Sequence, residues 1–158
     1  MTATTADPDT HVALATGAAP CVLVVDEQPI SRELIRRILA AEGFQTVLAG
    51  DGGQALRLVR SMPVDLILLD ASLPDQSGFQ VCAQLKSDHR LGDVPVIFFS
   101  ALDDVRRRVE GLHAGGVDYI SKPFHAEEVV RVLSLAWLQW ERQRGSPGYR
   151  AKPAGADN

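Results

Sequence analysis

Asp26, Glu27 and Asp70 are the residues from which a chemistry can first be read. Asp70 closes the apolar run Asp65-Leu66-Ile67-Leu68-Leu69-Asp70, and the earlier run Cys21-Val22-Leu23-Val24-Val25 closes on the acidic pair Asp26-Glu27. In a parallel sheet both strand ends open at one edge, so three carboxylates are expected to converge there. Such a cluster repels itself unless it binds a divalent cation or has a raised proton affinity, and hard oxygen ligands suit Mg²⁺. Two further strand ends contribute. Ser100 follows Val94-Pro95-Val96-Ile97-Phe98-Phe99, and Lys122 follows Val117-Asp118-Tyr119-Ile120-Ser121. A carboxylate, a cation site, a hydroxyl and an ammonium on one rim suit a phosphoryl group on Asp70, with metal and ammonium neutralising its oxygens and the hydroxyl donating a hydrogen bond.

The elements that must position these groups alternate along the chain. Strand signals fall at 21–25, 45–49, 65–69, 94–99 and 117–120, and helical periodicity at about 30–42, 52–61, 78–87, 103–113 and 125–143. This is a (βα)5 pattern of class α/β. Apolar runs without alternation imply strands covered on both faces, hence a doubly wound parallel five-stranded sheet between helix layers.

The motifs and their order resemble the receiver (REC) domain of two-component response regulators, whose pattern is an acidic pair, a phosphorylatable Asp, a Thr or Ser, and a Lys-Pro. They stand here as Asp26-Glu27, Asp70, Ser100-Ala101 and Lys122-Pro123, with Asp51-Gly52, Leu73-Pro74-Asp75, Gly78-Phe79 and Gly115-Gly116-Val117-Asp118-Tyr119-Ile120 between them. The resemblance covers roughly residues 21–140. It implies a flavodoxin-like strand order 2-1-3-4-5, which sets the first and third strands side by side at the switch point. It further implies Asp70 as phosphoacceptor from a histidine kinase or histidine phosphotransfer protein, Glu27 as a direct Mg²⁺ ligand, Asp26 as a water-mediated one, and the Ser72 backbone carbonyl as another. Lys122 is expected on a phosphoryl oxygen, with Pro123 after a cis bond that aims it inward. Ser100 and Tyr119 are expected to form the readout, the hydroxyl moving to the phosphoryl group and the ring turning into the vacated space. The face of fourth helix, last strand and last helix would thereby be remodelled. Two aspartates are common in the family's acidic pair; Glu27 is one methylene longer.

Composition narrows the setting. With 158 residues, 46% of them hydrophobic, one packed domain with tails is the expectation: a disordered leader over 1–19, the receiver over 20–144, and a disordered tail over 145–158. No apolar stretch approaches the ~20 residues of a membrane span, and the leader lacks the basic start of a secretory signal. Cys21 and Cys82 read as free core thiols in a reducing cytosol, so the expected location is cytoplasmic. A net charge of -4 gives no general attraction to nucleic acid, and no direct nucleic-acid partner is expected. Arg106-Arg107-Arg108 reads as a solvated helix face, with Val105, Val109 and Leu112 docking on the core.

On the last helix Val129, Val130, Val132, Leu133, Ala136, Trp137 and Trp140 form one apolar stripe, whereas Leu135 and Leu138 fall opposite. Those two leucines, with part of the tryptophan pair, are the expected surface for a downstream protein or a homodimer. The chain resembles stand-alone chemotaxis-type receivers, a phosphoacceptor with only self-phosphorylation and self-dephosphorylation chemistry rather than an enzyme. Neither Ser72 nor Leu102, two places beyond acceptor and hydroxyl, strongly orients an attacking water, so self-dephosphorylation is expected to be slow. The alternatives are a phosphate-blind scaffold or dimerisation module, and a fragment of a larger regulator or hybrid kinase. A haloacid-dehalogenase-type enzyme needs a second Asp where Ser72 stands, and flavin binding needs a Ser/Thr-rich loop after the first strand.

Overall fold

The computed structural model describes residues 19–101 and 105–144. The expected leader over 1–19, except residue 19, the expected tail over 145–158 and Leu102 lie outside them. Ten elements alternate: β1 (Cys21–Val25), α1 (Pro29–Ala41), β2 (Gln45–Ala49), α2 (Gly52–Ser61), β3 (Leu66–Asp70), α3 (Gly78–Ser87), β4 (Val96–Ser100), α4 (Val105–Ala114), β5 (Asp118–Ser121) and α5 (Ala126–Arg144). All strands pair in parallel in the order β2-β1-β3-β4-β5, the doubly wound topology the resemblance implies.

Local chemistry explains most boundaries. Every residue of β1, β3 and β4 is buried, which requires cover on both faces of the sheet. α1 packs against α5, while α2 meets α3 and α3 meets α4. Pro29 opens α1, where a missing N–H costs nothing. Ser77 and Gln80 form a reciprocal capping box at α3. At the opposite end of the sheet the buried Asp65 carboxylate accepts a hydrogen bond from the Cys21 amide at 2.8 Å, joining the starts of β1 and β3.

Two expectations about helix faces need correction. Val105, Val109 and Leu112 do not dock on the core; they are 75%, 44% and 56% exposed. Gly111 is the buried residue of α4, and its lack of a side chain lets the helix backbone approach the Phe98 ring. Arg108 holds the same side, donating to the Tyr119 carbonyl at 3.4 Å and the Ser121 hydroxyl at 3.1 Å, so the arginine run is not wholly a solvated face. On α5, Trp137 and Trp140 are both buried and pack edge to face at 5.9 Å, which removes them from any partner surface. Leu135 is 51% exposed and Leu138 partly buried, and both line, with Ile38 and Val130, a groove of about 690 Å³ between α1 and α5. The two leucines thus lie along one groove beside α1.

Candidate functional site

The sheet register builds the site as a staircase. Val25 of β1 pairs with Leu69 of β3, so the next residues, Asp26 and Asp70, leave the sheet side by side. Asp70 pairs with Phe99, and Ser100, one step on, pairs with Ser121. Lys122 follows Ser121, and its amide donates to the Ser100 carbonyl at 2.9 Å. Four strand ends thus deliver Asp26, Asp70, Ser100 and Lys122 to one rim. The Lys122–Pro123 peptide is cis.

Lys122 is the centre of this group. Its ammonium donates to Asp70 Oδ2 at 2.8 Å and to Asp26 Oδ2 at 2.9 Å, and sits 4.6 Å from the centre of the Phe99 ring. Asp70 Oδ1 accepts from the Ser72 amide at 2.8 Å, and Asp26 Oδ1 from the Gln28 amide at 2.9 Å. Asp26 is 0% exposed, Asp70 6% and Ser100 2%. Burial pushes the Asp70 carboxyl above its ordinary range; Lys122 and the Ser72 amide pull it back, and the Asp26 charge adds to the rise. For Lys122 burial works downward, but the bonds to Asp70 and Asp26 outweigh it and the ammonium is held more firmly than usual. The ammonium is thus held in its charged form, while the Asp70 carboxylate binds a proton more tightly than an exposed one.

The expected three-carboxylate cluster is a pair. Glu27 lies two residues past the strand end with its side chain exposed, and among the described residues no group of three or more His, Cys, Asp or Glu side chains is drawn together closely enough to hold a metal. Two buried carboxylates nevertheless share one ammonium, which leaves negative charge on hard oxygens. That donor set fits Mg²⁺, which is commonly held by one or two carboxylates plus waters and phosphoryl oxygens.

Tyr119 is already inside: it is 6% exposed, its ring centre is 6.2 Å from that of Phe98, and the Arg108 guanidinium lies 5.2 Å above it. In this structure the ring therefore already occupies the interior beside Phe98. Two residues were missed in the sequence. Arg32 donates to the Asp26 carbonyl at 2.7 Å, and Asp75 accepts from the Gly52 and Gly53 amides at 2.9 Å each. Asp75 was legible only as a member of the Leu73-Pro74-Asp75 motif; its bonds to α2 were not, because its partners stand 22 and 23 residues earlier in the chain.

A doubly wound sheet with a strand-end Asp, an acidic neighbour, a hydroxyl and a Lys-Pro defines the class of phosphoacceptor receivers. The family model for the response regulator receiver domain matches residues 22–134, and this chain belongs to that family. It is 42% identical over 116 residues to the probable transcriptional regulatory protein TcrX of Mycobacterium tuberculosis, covering 73% of this chain and 49% of TcrX. It is also 42% identical over 109 residues to the DNA-binding response regulator MtrA of Mycolicibacterium smegmatis, covering 69% and 46%. The chain spans about half the length of the curated relatives it matches. Among solved structures, the receiver domain of Francisella response regulator 1452 matches with a TM-score of 0.72 and 31% identity, over 76% of this chain and 98% of that one. A CheY-like receiver of Methanospirillum hungatei shares the fold at TM-score 0.75 with 21% identity, over 80% and 99%. The relatives also correct an expectation: several are DNA-binding regulators by name, so the absence of a nucleic-acid partner does not follow from a net charge of -4.

Proposed function

We propose that this receiver takes a phosphoryl group onto Asp70 from a phosphohistidine of a histidine kinase or phosphotransfer protein. The Lys122 ammonium shared between Asp70 and Asp26 carries this reading, because it places a fixed positive charge where phosphoryl oxygens would gather. A carboxylate oxygen of Asp70 attacks phosphorus, the P–N bond breaks, and its electron pair leaves with the imidazole, which takes up a proton. Asp26, Asp70, the Ser72 carbonyl and, by side-chain movement, Glu27 would hold Mg²⁺, which supplies charge neutralisation on the transferring group. The chemistry is self-contained, without a separate substrate to turn over. The Ser100 hydroxyl, at the end of β4, bonds the new phosphoryl oxygen, and the Arg108 strap from α4 to β5 passes the change to the α4, β5 and α5 face. Self-dephosphorylation is slow, with Ser72 and Leu102 at the two positions that would orient water. Intact mass after incubation with phosphoramidate tests the reading. A Mg²⁺-dependent gain of one phosphoryl group, absent in Asp70→Asn, supports it; no gain in wild type favours a phosphate-blind scaffold.

The names of the relatives favour a second reading at the level of output: the receiver governs DNA binding, as in a larger regulator. Retention on duplex DNA, compared between the phosphorylated and unphosphorylated chain, tests whether any of that activity lies within this chain.

A further inference from the structure

The segment from Ala71 to Ser77, which follows the phosphoacceptor, is a loop closed at both its base and its tip. At the base the Gly78 amide donates to the Ala71 carbonyl at 2.9 Å, and Ser72 bridges Ser77. At the tip Asp75 reaches across to α2, each carboxylate oxygen accepting one amide, from Gly52 and from Gly53. The next two amides of that helix are met by Asp51: its side chain takes Gln54 at 2.7 Å and its carbonyl takes Ala55 at 3.1 Å. Three of the amides that a helix start leaves unpaired, those of Gly52, Gly53 and Gln54, are therefore satisfied, two of them by Asp75. The contact is close, since a Cβ on Gly52 would lie 2.8 Å from Val81 Cγ2 and 2.9 Å from Gln76 Cγ. These bonds hold the Asp75 carboxyl below its usual range, the Gly52 amide contributing most.

Ser72 stands at the base, bridging Ser77, and its amide bonds Asp70 Oδ1. We propose that Asp75 is a positioning residue for phosphoryl transfer: by clamping the loop tip to the first turn of α2, it fixes the Ser72 backbone against Asp70. The inference rests on the reading of Asp70 as phosphoacceptor for its consequence, but not for its geometry. Released from α2, the tip no longer braces the Ser72–Ser77 bridge at the base; the bridge loosens and the Ser72 backbone loses its set distance from Asp70. Cation affinity and phosphorylation rate then fall together.

The test compares Asp75→Ala and Asp75→Asn with Asp51→Ala, which weakens the same helix start without touching the loop. The Ser72 amide resonance reports on the loop with neither metal nor phosphodonor present. Calorimetry with Mg²⁺ alone gives cation affinity, and phosphoramidate gives the rate. Asp75→Ala is expected to move the Ser72 resonance, weaken Mg²⁺ binding roughly tenfold, as loss of an outer support for ligands does, and slow phosphorylation. Asp75→Asn, which keeps one acceptor oxygen, falls between it and wild type. Asp51→Ala lowers the Tm but leaves resonance, affinity and rate at wild-type values. An unmoved Ser72 resonance in Asp75→Ala overturns the proposal, as does an equal effect from Asp51→Ala. A wild type that shows no phosphoryl gain overturns the Asp70 reading instead, while the Ser72 resonance still decides the role of Asp75.

Discussion

At the residue scale the site is a compromise between chemistry and stability. Asp70 is buried beside a second carboxylate, so its folded-state proton affinity is raised, chiefly by desolvation. A carboxyl raised in this way favours folding only while it is protonated, and that contribution is lost as pH rises through the folded value. At pH 7 the ionised side chain is therefore a burden. Asp70→Asn is expected to raise the Tm by roughly a few degrees at pH 7, with the difference closing as pH falls below the ordinary carboxylate value of 3.8; thermal melts across that range check it. Lys122→Ala acts the other way. It leaves two buried carboxylates without their shared cation and should cost about 2–3 kcal/mol in urea unfolding, toward the lower end for buried pairs because Lys122 is partly exposed.

At the element scale, loops and caps decide where the strand-end residues sit. Gly78 opens α3 directly beneath the loop that follows Asp70, and a Cβ there would run into the Asp70 backbone carbonyl, which cannot move without moving the site. Gly78→Ala should cost about 2 kcal/mol or more and disturb the Ser72–Asp70 bond, seen as a shifted Ser72 amide resonance. α5 contributes differently, by packing. Trp137 is 0% exposed in the layer shared with α1, and Trp137→Ala should cost about 3–5 kcal/mol in denaturant unfolding. Helix existence was legible from apolar spacing, but which side of α4 docks was not. Three apolar residues at helical spacing read as a buried stripe, whereas a glycine against Phe98 and an arginine bonded to β5 set the orientation.

At the scale of the whole molecule, the core is one connected cluster running from Leu39 and Trp137 on one helix layer, through β1, β3 and β4, to Val59, Val81 and Leu85 on the other. A core without a seam has no part that can melt alone, so unfolding should be a single cooperative step. Tryptophan fluorescence, which reads Trp137 and Trp140, and far-ultraviolet circular dichroism, which reads all helices, are expected to give coincident transitions. Among the described residues no helix is long and apolar enough to cross a membrane.

The amino-acid sequence by itself determined the alternation of elements and the members of the site. Buried strands announce themselves as unbroken apolar runs, and the reactive residues stand at the ends of those runs, so both are local in the chain. Tertiary structure alone decided what depends on distance between elements. It made the carboxylate cluster a pair, because Glu27, two residues beyond the strand, is exposed. It turned the α4 valines outward and the α5 tryptophans fully inward, and placed the Tyr119 ring already inside. It also brought Asp75 to the start of α2. Each of these is set by which helix faces pack and which loop tips touch across more than twenty residues of sequence, and no periodicity within one element carries that information.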